Sequence, residues 1–178
     1  RRVPLLNYSG GTEVGGGILC STVLQPIKPC ALSRAIPGMG AAVVDEQGLD
    51  VAPGVVGELV LRRPSIGLTR SLWSDDERYL ESYWNTLPGL WRHGDWATVD
   101  ADGYWYVLGR SDDTLKIAGK RTGPSEIEAL LAASGHVVES AVVGLPDPIK
   151  GQAVCCVVRL MPGVTLTEPV RAALSQAV

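Results

Sequence analysis

Glycine and proline punctuate the first two-thirds of this chain, and after Arg121 the punctuation thins. With 21 glycines and 12 prolines among 178 residues, the runs between breakers are short and read as strands joined by turns. Ala41–Asp45, Glu58–Arg62 and Tyr104–Leu108 have the aliphatic and aromatic content of strands. Asp45-Glu46-Gln47-Gly48 and Asp100-Ala101-Asp102-Gly103 read as hairpin turns, where Asp bonds its own backbone and Gly takes the positive φ. Asp75 to Trp84 reads as a short helix with Tyr79, Leu80 and Tyr83 on one face.

Beyond Arg121 the periods lengthen. Ser125-Glu126-Ile127-Glu128 fits a capping box, with Ser at the cap and Glu three residues on. Ile127, Leu130 and Leu131 follow at helical spacing. Val137–Val143 and Ala153–Leu160 read as strands, and Thr167 is placed to cap a last helix through Leu174. Helix, strand, strand, helix is an α+β pattern, and it looks unfinished at Val178. The expected class is mixed α/β, with a β-rich region over 1–111 and a small, partial α+β region over 112–178.

Composition excludes several classes. The net charge of -3 leaves no basic excess to neutralise nucleic-acid phosphates. No apolar run approaches the roughly 20 residues of a membrane helix. Cys20, Cys30, Cys155 and Cys156 lack metal-ligand spacing and read as reduced, mostly buried thiols of a cytoplasmic protein. The start, Arg1-Arg2-Val3-Pro4-Leu5, has no initiator Met and no signal-peptide pattern, so the chain reads as an excerpt.

Three segments carry groups suited to chemistry. In Tyr8-Ser9-Gly10-Gly11-Thr12-Glu13-Val14-Gly15 the glycines let backbone approach a phosphate, Thr12 offers a hydroxyl and Glu13 a carboxylate for a hard cation. Read alone, it is equally a plain turn. In Trp91-Arg92-His93-Gly94-Asp95-Trp96, Asp95 is suited to two ribose hydroxyls or to capping its own turn. Gly109 to Arg121 holds Arg110, Asp112, Asp113, Lys116, Lys120 and Arg121, the charge density of a loop meeting a polyanion or of a solvated surface.

The three segments together, in this order, resemble the adenylate-forming superfamily of acyl-CoA synthetases, luciferases and peptide-synthetase adenylation domains. Thr12-Glu13 resembles its Thr-Glu motif and Gly94-Asp95 its Gly-Asp motif. Gly109-Arg110-Ser111-Asp112-Asp113 with Lys116, Gly119, Arg121 and Glu126 resembles its hinge signature. Ser9 to Glu13 and His93 to Trp96 look closest to the acetyl- and acetoacetyl-CoA synthetase branch.

That resemblance implies a two-step ligase: a carboxylate is activated by ATP as acyl-AMP, then transferred to the thiol of coenzyme A. It implies Thr12 at the α-phosphate, Glu13 on magnesium, and Gly11 and Tyr8 in the nucleotide site with Tyr8 against adenine. Asp95 would take the ribose, Arg110 the ribose and phosphate, and Arg121 the same nucleotide. Asp112 would be the hinge about which the small domain turns. Gly119 and Lys120 would then border the thiol tunnel. The small molecules implied are a carboxylate, ATP and coenzyme A. Strict acetate enzymes of the family carry Trp where Gly10 stands, so an acid larger than acetate is expected. The family's phosphate loop lies upstream of this sequence and its adenylate-contacting lysine downstream, so the chain alone is expected to be inactive. Two alternatives remain at this level. One is an adenylation enzyme that loads a carrier protein. The other is a non-catalytic module of the same fold.

Overall fold

The computed structural model describes residues 3–117, 120–149 and 151–178, with the backbone alone at 116, 117, 120 and 121. The chain divides into two units, Arg1–Leu108 and Gly109–Val178.

The first unit holds two antiparallel sheets. β1 (Tyr8–Gly11), β2 (Gly16–Cys20) and β3 (Arg34–Ala35) form one of them. β4 (Ala41–Val44), β5 (Gly57–Leu61), β6 (Trp91–Val99) and β7 (Trp105–Arg110, whose last two residues belong to the second unit) form the other in simple chain order. Strands consecutive in sequence are usually neighbours in a sheet, and here that holds even where α1 intervenes between β5 and β6. Val14, Ile18, Leu19, Leu32, Leu59, Leu61 and Trp91 make one core across both sheets. Leu32 bridges to Trp105, and their backbone groups exchange bonds of 2.8 and 2.9 Å.

Both expected turns exist. Asp45 Oδ1 accepts from the backbone N–H of Gln47 and of Leu49, each at 2.9 Å. Asp100 Oδ1 accepts from Asp102 at 3.0 Å and from Tyr104 at 2.9 Å. Lys28 then ties this second turn to a distant loop: its ammonium donates to Asp100 and Asp102 at 2.7 Å each and stands 4.4 Å from the Tyr104 ring centroid.

The helix between β5 and β6, α1 (Asp76–Tyr83), is capped by Asp75, whose side chain accepts from the Arg78 N–H at 3.1 Å. Tyr79 and Tyr83, one turn apart, face inward, but Leu80 is 47 % exposed. Its 100° offset from Tyr79 carries it off the buried stripe.

The second unit is one four-stranded antiparallel sheet with helices. β8 (Leu115–Ile117) and β9 (Lys120–Thr122) form a hairpin, followed by α2 (Pro124–Ala133), β10 (Val137–Asp147), β11 (Gly151–Leu160) and α3 (Glu168–Ala177). The strand order is β10-β11-β8-β9. Leu115, Ile127, Leu131, Val137, Val142 and Leu174 form its core. Mixed α and β elements are the expected class.

The expectations on the cap and inner face of α2, and on the thiols, fail here. Ser125 is not the cap of α2: Gly123 is, and Pro124 opens the helix, a position where a missing N–H costs nothing. Glu128 therefore does not close a box; its Oε1 accepts from the Val142 N–H at 3.0 Å instead. Thr167 stands at the cap of α3 but makes no side-chain capping bond. Leu130, expected on the inner face of α2, is 46 % exposed. The four thiols are free but not mostly buried: Cys30 is exposed, and Cys20, Cys155 and Cys156 are half-buried. Burial pushes the Cys156 thiol above its ordinary value.

Candidate functional site

The glycine-rich segment is a hairpin with a built corner. β1 and β2 pair antiparallel, with a register shift between Ser9 and Gly10. At the corner Thr12–Val14 form a single 3-10 turn, and Gly15, at φ 63°, closes it by donating to the Thr12 carbonyl at 3.1 Å. Val14 is fully buried and anchors the turn, Glu13 is half-buried and Thr12 is exposed. A side chain at Gly10 would sit 2.6 Å from the Gly17 Cα and run into the Gly16 carbonyl, so only glycine allows this approach of the two strands. A Cβ at Gly11 would strike the Glu13 carboxylate and lie 3.3 Å from the His93 ring.

His93 belongs to β6, and the turn and that strand therefore meet at Gly11. There β6 is irregular. Glu58 pairs with Trp96 and Val60 with Arg92, so two steps on β5 face four on β6. The surplus is a bulge over His93, Gly94 and Asp95, with Gly94 at φ 87°. Asp95 Oδ2 lies 3.3 Å from His93 Nε2, and both side chains are at most about a tenth exposed. Glu58, 8 % exposed, sits behind the bulge: its Oε1 accepts from the Gly94 N–H at 3.1 Å, and its Oε2 is 3.3 Å from Arg92 Nε.

Rigid packing supports the corner from the other side. Tyr79, Tyr83, Trp91 and His93 form a ladder of rings, with Tyr83 stacked on Trp91 at 5.1 Å and 4°. The Tyr79 hydroxyl donates to the Thr69 carbonyl at 2.6 Å, and the Thr69 N–H donates to the Glu13 carbonyl at 2.7 Å. Tyr8, at 68 % exposure, lies against Gly17 beside the corner.

In the second unit, Arg110 and Asp112 face each other. Arg110 Nε donates to Asp112 Oδ1 at 2.8 Å, and its Nη2 donates to Oδ2. Arg110 also borders a cleft of about 520 Å³ lined by Asp113, Ser125, Glu128 and Val142 among others. The expectations on Gly119 and on the side chains of Lys120 and Arg121 lie outside the described residues.

Residues 126–178 match the model of the AMP-binding enzyme C-terminal domain. Over 168 residues the chain is 44% identical to an acetyl-coenzyme A synthetase of Pyrobaculum arsenaticum, covering 93% of this chain and 25% of that protein. The acetoacetyl-CoA synthetase from Streptomyces lividans superposes with a TM-score of 0.82 at 30% identity, over 97% of this chain and 26% of the other. The chain belongs to the adenylate-forming family of AMP-binding enzymes. An anthranilate CoA ligase bound to anthranoyl-AMP is a further structural neighbour, with TM-score 0.75 and 28% identity over 97% of this chain and 32% of that one. The chain spans about a quarter of the length of the curated relatives it matches.

In the first unit the Gly11–Glu13 corner meets His93, which lies against Asp95, with Thr12 on the same turn. His93 is buried, 3.3 Å from Asp95 and beside Gly11. Glu58 was not foreseen as a site residue. Its one sequence signal is an acid at the second position of the run Gly57–Leu61, whose five residues are all buried. Among the described residues no group of three or more His, Cys, Asp or Glu side chains is placed to hold a metal, and no helix is long and apolar enough to cross a membrane.

Proposed function

We propose that this chain is a piece, about a quarter of the length, from the C-terminal part of an AMP-forming acid–CoA ligase acting on a short- or medium-chain carboxylate. The observation that carries the proposal is the meeting of the Gly11–Glu13 corner with the His93–Asp95 bulge. It sets the half-buried Glu13 carboxylate and the His93 ring beside Gly11, with Asp95 against His93.

Each group has a physical task. The exposed Thr12 hydroxyl donates to an α-phosphate oxygen. Asp95 accepts from the two ribose hydroxyls, while His93 keeps one of its oxygens in place. Glu13 offers one carboxylate, and that is the donor set magnesium uses when substrate phosphates complete its shell. Magnesium, when bound, neutralises charge on the phosphates. Arg110 supplies a planar fork for ribose or phosphate once Asp112 releases it. Lys116, Lys120 and Arg121 add positive charge on the β8–β9 hairpin, and the resemblance assigns Arg121 to the nucleotide and Gly119 and Lys120 to the thiol tunnel. Tyr8, exposed beside the corner, is the surface we assign to adenine. On this reading 1–111 closes the large domain, 112–178 begins the small one, and Asp112 is the hinge.

The chemistry balances in two displacements. A carboxylate oxygen attacks the α-phosphorus and pyrophosphate leaves. The sulfur of coenzyme A, having given up its proton, then attacks the acyl carbon and AMP leaves. Electrostatic stabilisation of the crowded phosphates lowers the first barrier. The free thiols fit a reducing, cytoplasmic setting.

Pyrophosphate release by the intact enzyme tests the proposal, with ATP, magnesium and C2 to C8 and aryl acids, with and without coenzyme A. Release for one acid class that turns over faster with coenzyme A supports it. Release that stalls after one equivalent despite coenzyme A replaces it with a carrier-protein adenylation enzyme. Absence of release for every acid rejects the reaction.

A further inference from the structure

We infer that Glu58 is a positioning residue for nucleotide binding, acting through the β6 bulge. The inference rests on the proposed role of Asp95 and adds a residue outside the three segments that carry the resemblance.

A buried carboxylate is costly unless charge and hydrogen bonds compensate it. Glu58 is 8 % exposed as the second residue of a wholly buried strand, where an aliphatic side chain would pack without that cost. Its two oxygens have separate uses. Oε1 takes the Gly94 N–H at 3.1 Å, and Oε2 lies 3.3 Å from Arg92 Nε. The Gly94 N–H sits within the bulge, where β6 has two residues in excess of β5 and the ladder offers it no facing carbonyl. Glu58 is the acceptor in place of that carbonyl. Its attachments at Arg92 and Gly94 bracket His93 and lead directly into Asp95. The carboxylate thus fixes the path of the backbone that aims Asp95, and Gly94 at φ 87° is the residue that permits the path.

Glu58→Gln keeps an acceptor for Gly94 and removes the charge facing Arg92. Glu58→Leu removes both. The intact enzyme is titrated by calorimetry with AMP and with 2′,3′-dideoxy-AMP, which lacks the ribose hydroxyls. Wild type is expected to prefer AMP. Glu58→Leu is expected to bind AMP about tenfold more weakly, the size of one lost charge-assisted hydrogen bond, and to bind the dideoxy compound as wild type does. Glu58→Gln is expected to fall between and to stay folded if the Leu variant does not. A general structural defect would weaken both ligands alike. Variants that keep the full preference for AMP overturn the inference. If wild type shows no preference, the ribose role of Asp95 fails, and Gly94 amide exchange decides Glu58 separately. Faster exchange in Glu58→Leu or Glu58→Gln retains it as the support of the bulge. Unchanged exchange removes it.

Discussion

Arg110 and Asp112 hold each other through two parallel hydrogen bonds, one from Nε at 2.8 Å and one from Nη2. The residue we assign to the nucleotide is therefore engaged by the residue we assign to the hinge. Both side chains are about half exposed, so the pair adds at most about 1 kcal/mol to stability. Asp112→Asn should leave the melting temperature nearly unchanged and raise AMP affinity severalfold, because the guanidinium fork is no longer shared. Titration calorimetry checks this. An unchanged or weaker affinity would mean the pair does not compete with ligand.

The Glu13 corner is tied to α1 by two bonds in series, Tyr79 hydroxyl to Thr69 carbonyl and Thr69 N–H to Glu13 carbonyl. Tyr79→Phe removes the first and should cost about 1 kcal/mol. Amide exchange at Thr69 should accelerate with it. Exchange confined to the rest of α1 would show that the helix does not brace the corner.

Lys28 sits between Asp100 and Asp102, and their carboxylates raise its pKa, chiefly through the hydrogen bond to Asp100. The same hydrogen bond lowers the Asp100 carboxyl. A depressed acid stabilises the fold above its unfolded value and loses that contribution as pH falls through the folded one. A raised lysine stabilises below its unfolded value and loses it as pH climbs through the folded one. Wild type should therefore exceed Lys28→Met in melting temperature by a constant margin between about pH 5 and 10, narrowing at both extremes. A margin that does not narrow in acid would place the effect in packing against Tyr104.

Gly10 bears on substrate size, but not as an open position awaiting a larger side chain. A Cβ there meets the Gly16 carbonyl and the Gly17 Cα at 2.6 Å, and backbone cannot give way as a flexible side chain can. Gly10→Ala should cost about 1–3 kcal/mol, and Gly10→Trp should disrupt the hairpin rather than close an acyl pocket. Thermal unfolding of Gly10→Ala checks it, and wild-type stability would contradict it. The acid accepted must be read from the substrate panel instead.

What the sequence made visible was periodic or punctuated. The turns at Asp45 and Asp100, the strands between them, and the helix–strand–strand–helix order after Gly123 follow from turn chemistry and apolar spacing. What it hid depends on partners far along the chain. Glu58 and Gly94 are 36 residues apart, and only the β5–β6 register brings the acid to the bulge. The β8–β9 hairpin lies within a run whose charges mask any strand alternation. Ser125 and Glu128 have the spacing of a capping box, but Pro124 opens the helix two residues sooner than a Ser125 cap would and leaves Glu128 for Val142. His93 became a site neighbour because the Gly11 corner folds onto it, a contact between residues 82 positions apart by number.

The central claim is an AMP-forming ligase whose nucleotide is held at Asp95. Phosphorus NMR of ATP consumption by the intact enzyme, with a carboxylate and coenzyme A, tests it most directly. AMP and pyrophosphate in equal amounts, abolished or strongly reduced in Asp95→Ala, is the predicted result. ADP and phosphate as products, or turnover by Asp95→Ala equal to wild type, would contradict it.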